Sequence, residues 1–118
     1  MSEFTIFHNR SCSTSRAALE TAQAEGVAAE VVEYLKKPLD AVELGTLLDQ
    51  LEDPATDLVR RDPYFRQVGL TDDDVQTREQ VIAVLLEHPR LMQRPVLVRG
   101  DRAIIGRPKD RVAAFLAD

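Results

Sequence analysis

The only cysteine among the 118 residues, Cys12, lies in His8-Asn9-Arg10-Ser11-Cys12-Ser13-Thr14-Ser15-Arg16. A lone thiol in polar company can serve as a nucleophile once ionised, because the thiolate attacks and the thiol does not. The local sequence favours ionisation. The run Phe4 to Phe7 is apolar and β-prone, and from Ser13 to about Glu25 the chain is Ala-rich with Leu19 and Ala22 at helical spacing. Cys12 therefore falls at or just before a helix start. Unpaired N–H groups and the positive end of the helix dipole stabilise an anion at that point. The bland alternative is a buried structural cysteine, as free cysteines commonly are; the polar neighbours and Arg16 weigh against it.

A second set of candidates is cationic. The chain has twelve arginines against three lysines, and most of the arginines read as solvated surface, Arg66 and Arg78 among them. Arg60, Arg94 and Arg107 stand apart by context, in Leu58-Val59-Arg60, Gln93-Arg94-Pro95-Val96 and Gly106-Arg107-Pro108. Arginine stays protonated and presents a planar fork of donors, which suits a tetrahedral oxyanion better than lysine does.

The elements that must position these residues follow from periodicity. Residues 3–7 read as a strand, 13–25 as a helix ending at Gly26, and 29–34 as a second strand. This is a βαβ unit, whose strands are expected to be parallel neighbours. Pro38 and Asp40 open a helix with Val42, Leu44, Leu47, Leu48 and Leu51, closed by Asp53-Pro54. A short helical piece around Thr56 to Arg60 leads to a loop with Asp62-Pro63 and Gly69, and then to a helical turn at Thr71 to Asp74. Thr77 caps a helix through His88. Pro95 to Val98 and Ala103 to Ile105 read as a β-hairpin turning at Gly100. Pro108 sits just inside a last helix with Val112, Ala113, Phe115 and Leu116 on one face. The expected fold class is α/β: βαβ, a helical insertion at about 38–92, then ββα, as one domain over 1–118.

That order, with a cysteine opening the first helix and a proline opening the third strand, resembles a thioredoxin-like fold with a mixed four-stranded sheet. In such a fold the residue before the third strand's proline lies across from the active cysteine, and the proline is usually cis; Arg94-Pro95 occupies that place. A closer resemblance rests on several segments together: His8-Asn9 leading into Cys12, Ser13-Thr14-Ser15-Arg16, Leu58-Val59-Arg60, His88-Pro89 ahead of Gln93-Arg94-Pro95-Val96, and Gly106-Arg107-Pro108. In order and spacing, over nearly the whole chain, they resemble the glutaredoxin-coupled arsenate reductase family.

The resemblance implies an oxidoreductase of arsenic detoxification that reduces arsenate, or a similar oxyanion, through an adduct on Cys12. It implies Arg60, Arg94 and Arg107 as oxyanion ligands that also keep Cys12 ionised. His8 becomes a group that favours the ionised cysteine, and Asn9 and Pro95 become site-shaping residues. Ser15, three residues after Cys12, is placed to donate a hydrogen bond to the thiolate through its hydroxyl, as is the backbone of the loop. The physical case agrees, because a thiolate is repelled by a multiply charged anion unless cations neutralise its oxygens. Ser15 stands where Cys-x-x-Cys proteins carry a second thiol, so an external thiol must complete the reaction. The resemblance implies glutathione, with glutaredoxin resolving a mixed disulfide, and leaves open another small thiol. Arg10 replaces the proline that often follows Asn9 in the family, where it either alters the loop or adds positive charge beside the anion site.

Composition bounds the rest. A chain of 118 residues supports one core. No apolar run approaches the roughly 18 residues of a membrane span, and no signal peptide precedes the first strand, so a cytoplasmic protein is expected. A single cysteine fits a reducing compartment, and a net charge of −5 argues against nucleic acid as a partner. No bound cofactor and a monomer are expected. Position 18 is Ala18, which breaks the cysteine–arginine spacing of a tyrosine-phosphatase loop, and His8 and His88 are too scattered for a metal site. Asp72-Asp73-Asp74 reads as a solvated helix start. Two other functions remain: a non-catalytic protein-binding or regulatory module of the same superfamily, and a thiol-transfer enzyme with another substrate.

Overall fold

The computed structural model describes residues 4–108 and 110–117. Its elements run β1 (Phe4–His8), α1 (Ser13–Ala24), β2 (Ala29–Glu33), α2 (Ala41–Gln50), α3 (Pro63–Gln67), α4 (Arg78–Glu87), β3 (Val96–Arg99), β4 (Arg102–Ile105) and α5 (Asp110–Ala117), with 3-10 turns at Ala55–Leu58, Asp72–Val75 and Pro89–Leu91. The sheet order is β2-β1-β3-β4. β1 and β2 are parallel, as a βαβ crossover requires, and β1 with β3 and β3 with β4 are antiparallel. The result is the thioredoxin-like arrangement with a mixed four-stranded sheet. Glu3, placed by periodicity in the first strand, lies outside the described residues.

Alternation along the strands sends side chains to opposite faces, and each face has its own helical cover. Phe4, Ile6, Leu97 and Ile104 pack with Ala18 and Ala22 of α1 and with Val112, Phe115 and Leu116 of α5. On the other face Val96, Ala103 and Ile105 pack beneath the insertion, against Leu44, Leu47, Leu58, Phe65, Val81, Leu85 and Met92. The insertion is thus the second helical layer of the sheet. Its helices start on strong local signals: Asp40 and Thr77 form capping boxes with Glu43 and Gln80, and Asp62 accepts from the Phe65 N–H with Pro63 in the first turn.

Several expectations need correction. The segment after Asp62 contains α3 rather than only a loop, because cap and proline act together and Phe65 finds a buried site. The helical piece near Thr56 stops at Leu58; Val59 is extended and bridges antiparallel to Met92. Val42 is 78% exposed, and Ala113 is exposed as well. At about 100° per residue, Val42 faces away from the stripe of Leu44 and Leu47, and Ala113 turns off the stripe of Val112, Phe115 and Leu116. Pro108 precedes α5 rather than lying inside it, with its carbonyl accepting from the Arg111 N–H at 3.1 Å. Arg78 is not a purely solvated residue. It ties α4 to α2 by donating to the Gly45 carbonyl at 3.0 Å and pairing with Asp49.

One contact couples the hairpin to the positions of the arginines. Gly106 donates its N–H to the Pro95 carbonyl at 2.8 Å, and a Cβ at Gly106 would lie 2.8 Å from Pro95 Cγ and Leu97 Cδ1. Only glycine lets the chain after β4 approach Pro95 this closely. Replacing Gly106 with Ala is therefore expected to lower stability by about 1–3 kcal/mol through overpacking, read as an earlier midpoint in urea unfolding. An unchanged midpoint would mean that Pro95 and Leu97 yield freely.

Candidate active site

Cys12 is the N-cap residue of α1, with extended backbone angles of φ −101° and ψ 121°. A serine or aspartate here would use its side-chain oxygen to accept the N–H groups two and three residues on. The Cys12 thiol closes no such capping bond, so the N–H groups of Ser15 and Thr14 remain directed at its sulfur. The preceding turn is fixed by Asn9, whose carbonyl accepts from the Cys12 N–H at 3.0 Å and whose Oδ1 accepts from the Ser11 N–H at 2.9 Å.

Three arginines reach this point from three separate segments. Arg60 follows the extended Val59, which is pinned to the opposite ribbon: the Arg60 N–H donates to the Leu91 carbonyl at 2.8 Å and the Gln93 N–H to the Leu58 carbonyl at 2.7 Å. Arg94 stands before β3, and Arg107 follows β4. The Arg94–Pro95 and Arg107–Pro108 peptides are both cis, the first as the sequence implied. Arg107 donates through Nε to the Arg94 carbonyl at 2.7 Å and through Nη2 to Cys12 Sγ at 3.4 Å. Arg94 donates weakly through Nη1 to the Arg90 carbonyl, at 3.4 Å. Arg60 has only a long ion pair, 3.7 Å from Nε to Asp62.

The electrostatics follow from this crowding. Burial pushes the Cys12 thiol up, but the Ser15 N–H, the Arg94 guanidinium as donor, the Thr14 N–H and the Arg94 charge together outweigh it and bring the pKa below the ordinary thiol range. Burial lowers the pKa of Arg60, as do its neighbours Arg94 and Arg107, while Asp62 and the Cys12 thiolate raise it. Mutual repulsion among the cations is thus only partly compensated. Among the described residues Arg60 Nη1 and Arg94 Nε are buried without a hydrogen-bond partner, an arrangement that costs free energy.

His8 and Ser15 are also in the site; the loop backbone faces the sulfur as expected, and the Ser15 hydroxyl does not. The Ser15 side chain is wholly buried, and its hydroxyl bonds His8 Nδ1 at 2.7 Å while accepting the Asn9 N–H at 3.1 Å. It is the backbone of Ser15 that faces the sulfur, because its hydroxyl is held on the strand side by His8. Burial lowers the His8 pKa, helped by Arg10 and Arg16 and opposed by Glu33 and Ser15, so the ring is neutral near pH 7. Arg10 is engaged by a two-point pair with Glu33 of β2, at 2.6 and 3.0 Å.

Pattern reading passed over Tyr34, which took part only as the end of the second strand. Its ring is buried and its hydroxyl donates to the Met92 carbonyl at 3.2 Å, beside Arg94 and Asn9. The available signal was topological: the end of a strand parallel to β1 lies level with the loop that carries Cys12. Among the described residues no cluster of histidine, cysteine and carboxylate groups could hold a metal, and no helix is long and apolar enough to cross a membrane.

The lowered thiol pKa has a direct readout. Alkylation requires the thiolate, so the rate of Cys12 modification by iodoacetamide is expected to reach half its maximum below the value of about 8.5 for a free cysteine. Salt dependence should accompany it, since part of the effect comes from arginine charge. A midpoint at or above that of the free amino acid would remove the activated thiol.

The geometry can be set beside known proteins. A profile of the ArsC family matches residues 7–115. An arsenate reductase of Neisseria meningitidis is 36% identical over 118 residues, which take in 98% of this chain and 100% of that protein. An arsenate reductase of Escherichia coli is 35% identical over 120 residues, covering 100% of this chain and 84% of the relative. The solved structure of an arsenate reductase from Vibrio cholerae has a TM-score of 0.79 at 29% identity, over 96% of this chain and 97% of that one. Sequence and fold thus agree across almost the full length, and the chain belongs to the ArsC family.

Proposed function

We propose that this chain reduces arsenate to arsenite through a Cys12 adduct that an external thiol resolves. The observation that carries the reading is the set of three guanidinium groups gathered at one activated thiol, with buried donors of Arg60 and Arg94 left without an acceptor. A tetrahedral oxyanion supplies acceptors and negative charge together, which relieves both the repulsion and the unpaired donors. The arsenate reductases among the relatives narrow the oxyanion to arsenate.

In this reading Arg60, Arg94 and Arg107 hold the arsenate oxygens, and the Cys12 thiolate attacks arsenic. One oxygen takes up protons and leaves as water, giving a thiolate–arsenate adduct. An external thiolate then attacks the Cys12 sulfur. The sulfur–arsenic bond breaks, its electron pair passes to arsenic, arsenite leaves, and a mixed disulfide remains on Cys12. With Ser15 in place of a second cysteine, another thiol must free Cys12. Glutathione as the first thiol and glutaredoxin as the second fit this requirement, and the need to regenerate a free thiol in each cycle suits the cytoplasm. His8 and Ser15 contribute by fixing the loop whose N–H groups face the sulfur, and Asn9 and Pro95 by shaping its two sides. A non-catalytic binding module has no use for an activated thiol among unpaired guanidinium nitrogens.

Each of Arg60→Ala, Arg94→Ala and Arg107→Ala is expected to lower arsenate turnover at least about ten-fold, since a charge-assisted hydrogen bond contributes roughly 1.5–3 kcal/mol. Arg94→Lys should lose less, because charge survives while the fork does not. Arg66→Ala, at an exposed position of α3, should stay near the parent activity. Steady-state arsenite formation with glutathione and glutaredoxin measures this, with circular dichroism to verify folding. Small and equal effects at all four positions would end the oxyanion-site reading. Turnover with other small thiols alone would retain arsenate and discard glutaredoxin.

A further inference from the structure

Tyr34 is 1% exposed, and a buried phenol needs a partner for its hydroxyl. The single proton goes to the Met92 carbonyl at 3.2 Å. What the oxygen then offers its other neighbours is lone pairs only. Those neighbours are the Arg94 guanidinium and the Asn9 side chain. Asn9 Oδ1 already accepts from the Ser11 N–H, which leaves its amide nitrogen as the donor toward Tyr34. One buried oxygen therefore stands where the loop before Cys12, the Met92–Arg94 turn and the end of β2 meet.

Apart from its donation to the Cys12 sulfur, Arg94 is loosely held. Its Nη1 bond to Arg90 is long at 3.4 Å and its Nε has no partner. Asp62 pairs with Arg60. Burial raises the Tyr34 pKa, opposed by Arg94, Asn9 and Arg60, so the phenol keeps its proton and its donor direction through neutral pH.

We infer that Tyr34 is a positioning residue of the oxyanion site, whose hydroxyl, anchored on the Met92 carbonyl, presents an acceptor to Arg94 and Asn9 and so fixes the guanidinium relative to the Cys12 loop. The inference rests on the proposed assignment of Cys12 and Arg94 to an anion site, and not on arsenate being the anion.

The test removes the hydroxyl and keeps the ring, in Tyr34→Phe. Inorganic sulfate and arsenate are titrated as protectants of Cys12 against iodoacetamide, which requires no turnover. Protection is expected to weaken about five-fold or more, the alkylation midpoint to move up toward that of free cysteine, and KM for arsenate to rise while KM for glutathione holds. In an Arg94→Ala background the same change should add less than about two-fold, because the two residues act as one unit. A folded Tyr34→Phe protein with unchanged protection and midpoint overturns the inference, and so does an undiminished effect in the Arg94→Ala background.

If Tyr34→Phe does not fold, Tyr64→Phe supplies a second arm, since Tyr34 is then the sole tyrosine in a chain without tryptophan. Sulfate should change its fluorescence, and the change should vanish with Arg94→Ala; a silent titration overturns the inference. A protein that fails to reduce arsenate, yet shows sulfate protection dependent on Tyr34, discards arsenate and keeps Tyr34. Turnover of arsenate that is indifferent to Tyr34→Phe does the reverse.

Discussion

Repulsion among three guanidinium groups is the constraint around which this site is organised. Burial lowers the pKa of Arg60, and Arg94 and Arg107 are close enough to push it further below its ordinary value. Left to side-chain freedom, such groups would turn to solvent, where water screens them. Here the Arg94 carbonyl holds Arg107, and the ribbon that pairs Leu58 with Gln93 and Arg60 with Leu91 delivers Arg60, while Arg94 has only a long bond to the Arg90 carbonyl beside its contact with Cys12. The unfavourable energy is stored locally and offset by burial elsewhere, as strained functional sites generally require.

The source of that offset explains why the insertion matters to chemistry as well as to packing. Leu58 and Leu91 are fully buried on either side of the ribbon, and Met92 joins the same apolar cluster as Val96 and Ile105 of the sheet. Burial of each such side chain contributes roughly 1.5–3 kcal/mol. The Arg60 backbone cannot move without disturbing these contacts. Asp53 adds a polar tie between the insertion, β4 and α5, accepting from the Ile105 N–H at 2.9 Å and from Arg111 at 2.8 Å. Arg107 lies between Ile105 and Arg111, so the same carboxylate steadies the segment that delivers it.

How much of this was legible in the sequence depends on range. The switch from alternation to helical spacing at Cys12 is a local signal, and it located both the strand end and the exposed N–H groups. The parallel β1–β2 pair and the final hairpin followed from connection rules. Arg60 was legible only through family resemblance, because no periodicity says that a residue of the insertion meets a thiol forty-eight positions earlier in sequence. The Ser15 hydroxyl was assigned to the sulfur because spacing alone does not show that His8 and Asn9 compete for it. Tyr34 was invisible because an aromatic residue ending a strand is indistinguishable, by pattern, from core. The missed α3 had its signals in view, Asp62 and Pro63, but those residues also open turns, and the buried seat of Phe65 decides the matter.

The division between dipoles and charges around Cys12 carries one more consequence for the proposed reaction. Two kinds of group lower the thiol pKa: the backbone N–H groups of Ser15 and Thr14, which are fixed by the helix, and the Arg94 guanidinium, which carries a charge. Before binding, both hold the sulfur ionised at the expense of its nucleophilicity, since a stabilised anion is a weaker nucleophile. In the proposed reaction an oxyanion would draw on the arginine donors, and the N–H groups would be the part of this stabilisation that it leaves untouched. The Arg10–Glu33 pair serves the same division. It keeps a fourth arginine charge engaged on β2, apart from the three guanidinium groups beside the sulfur.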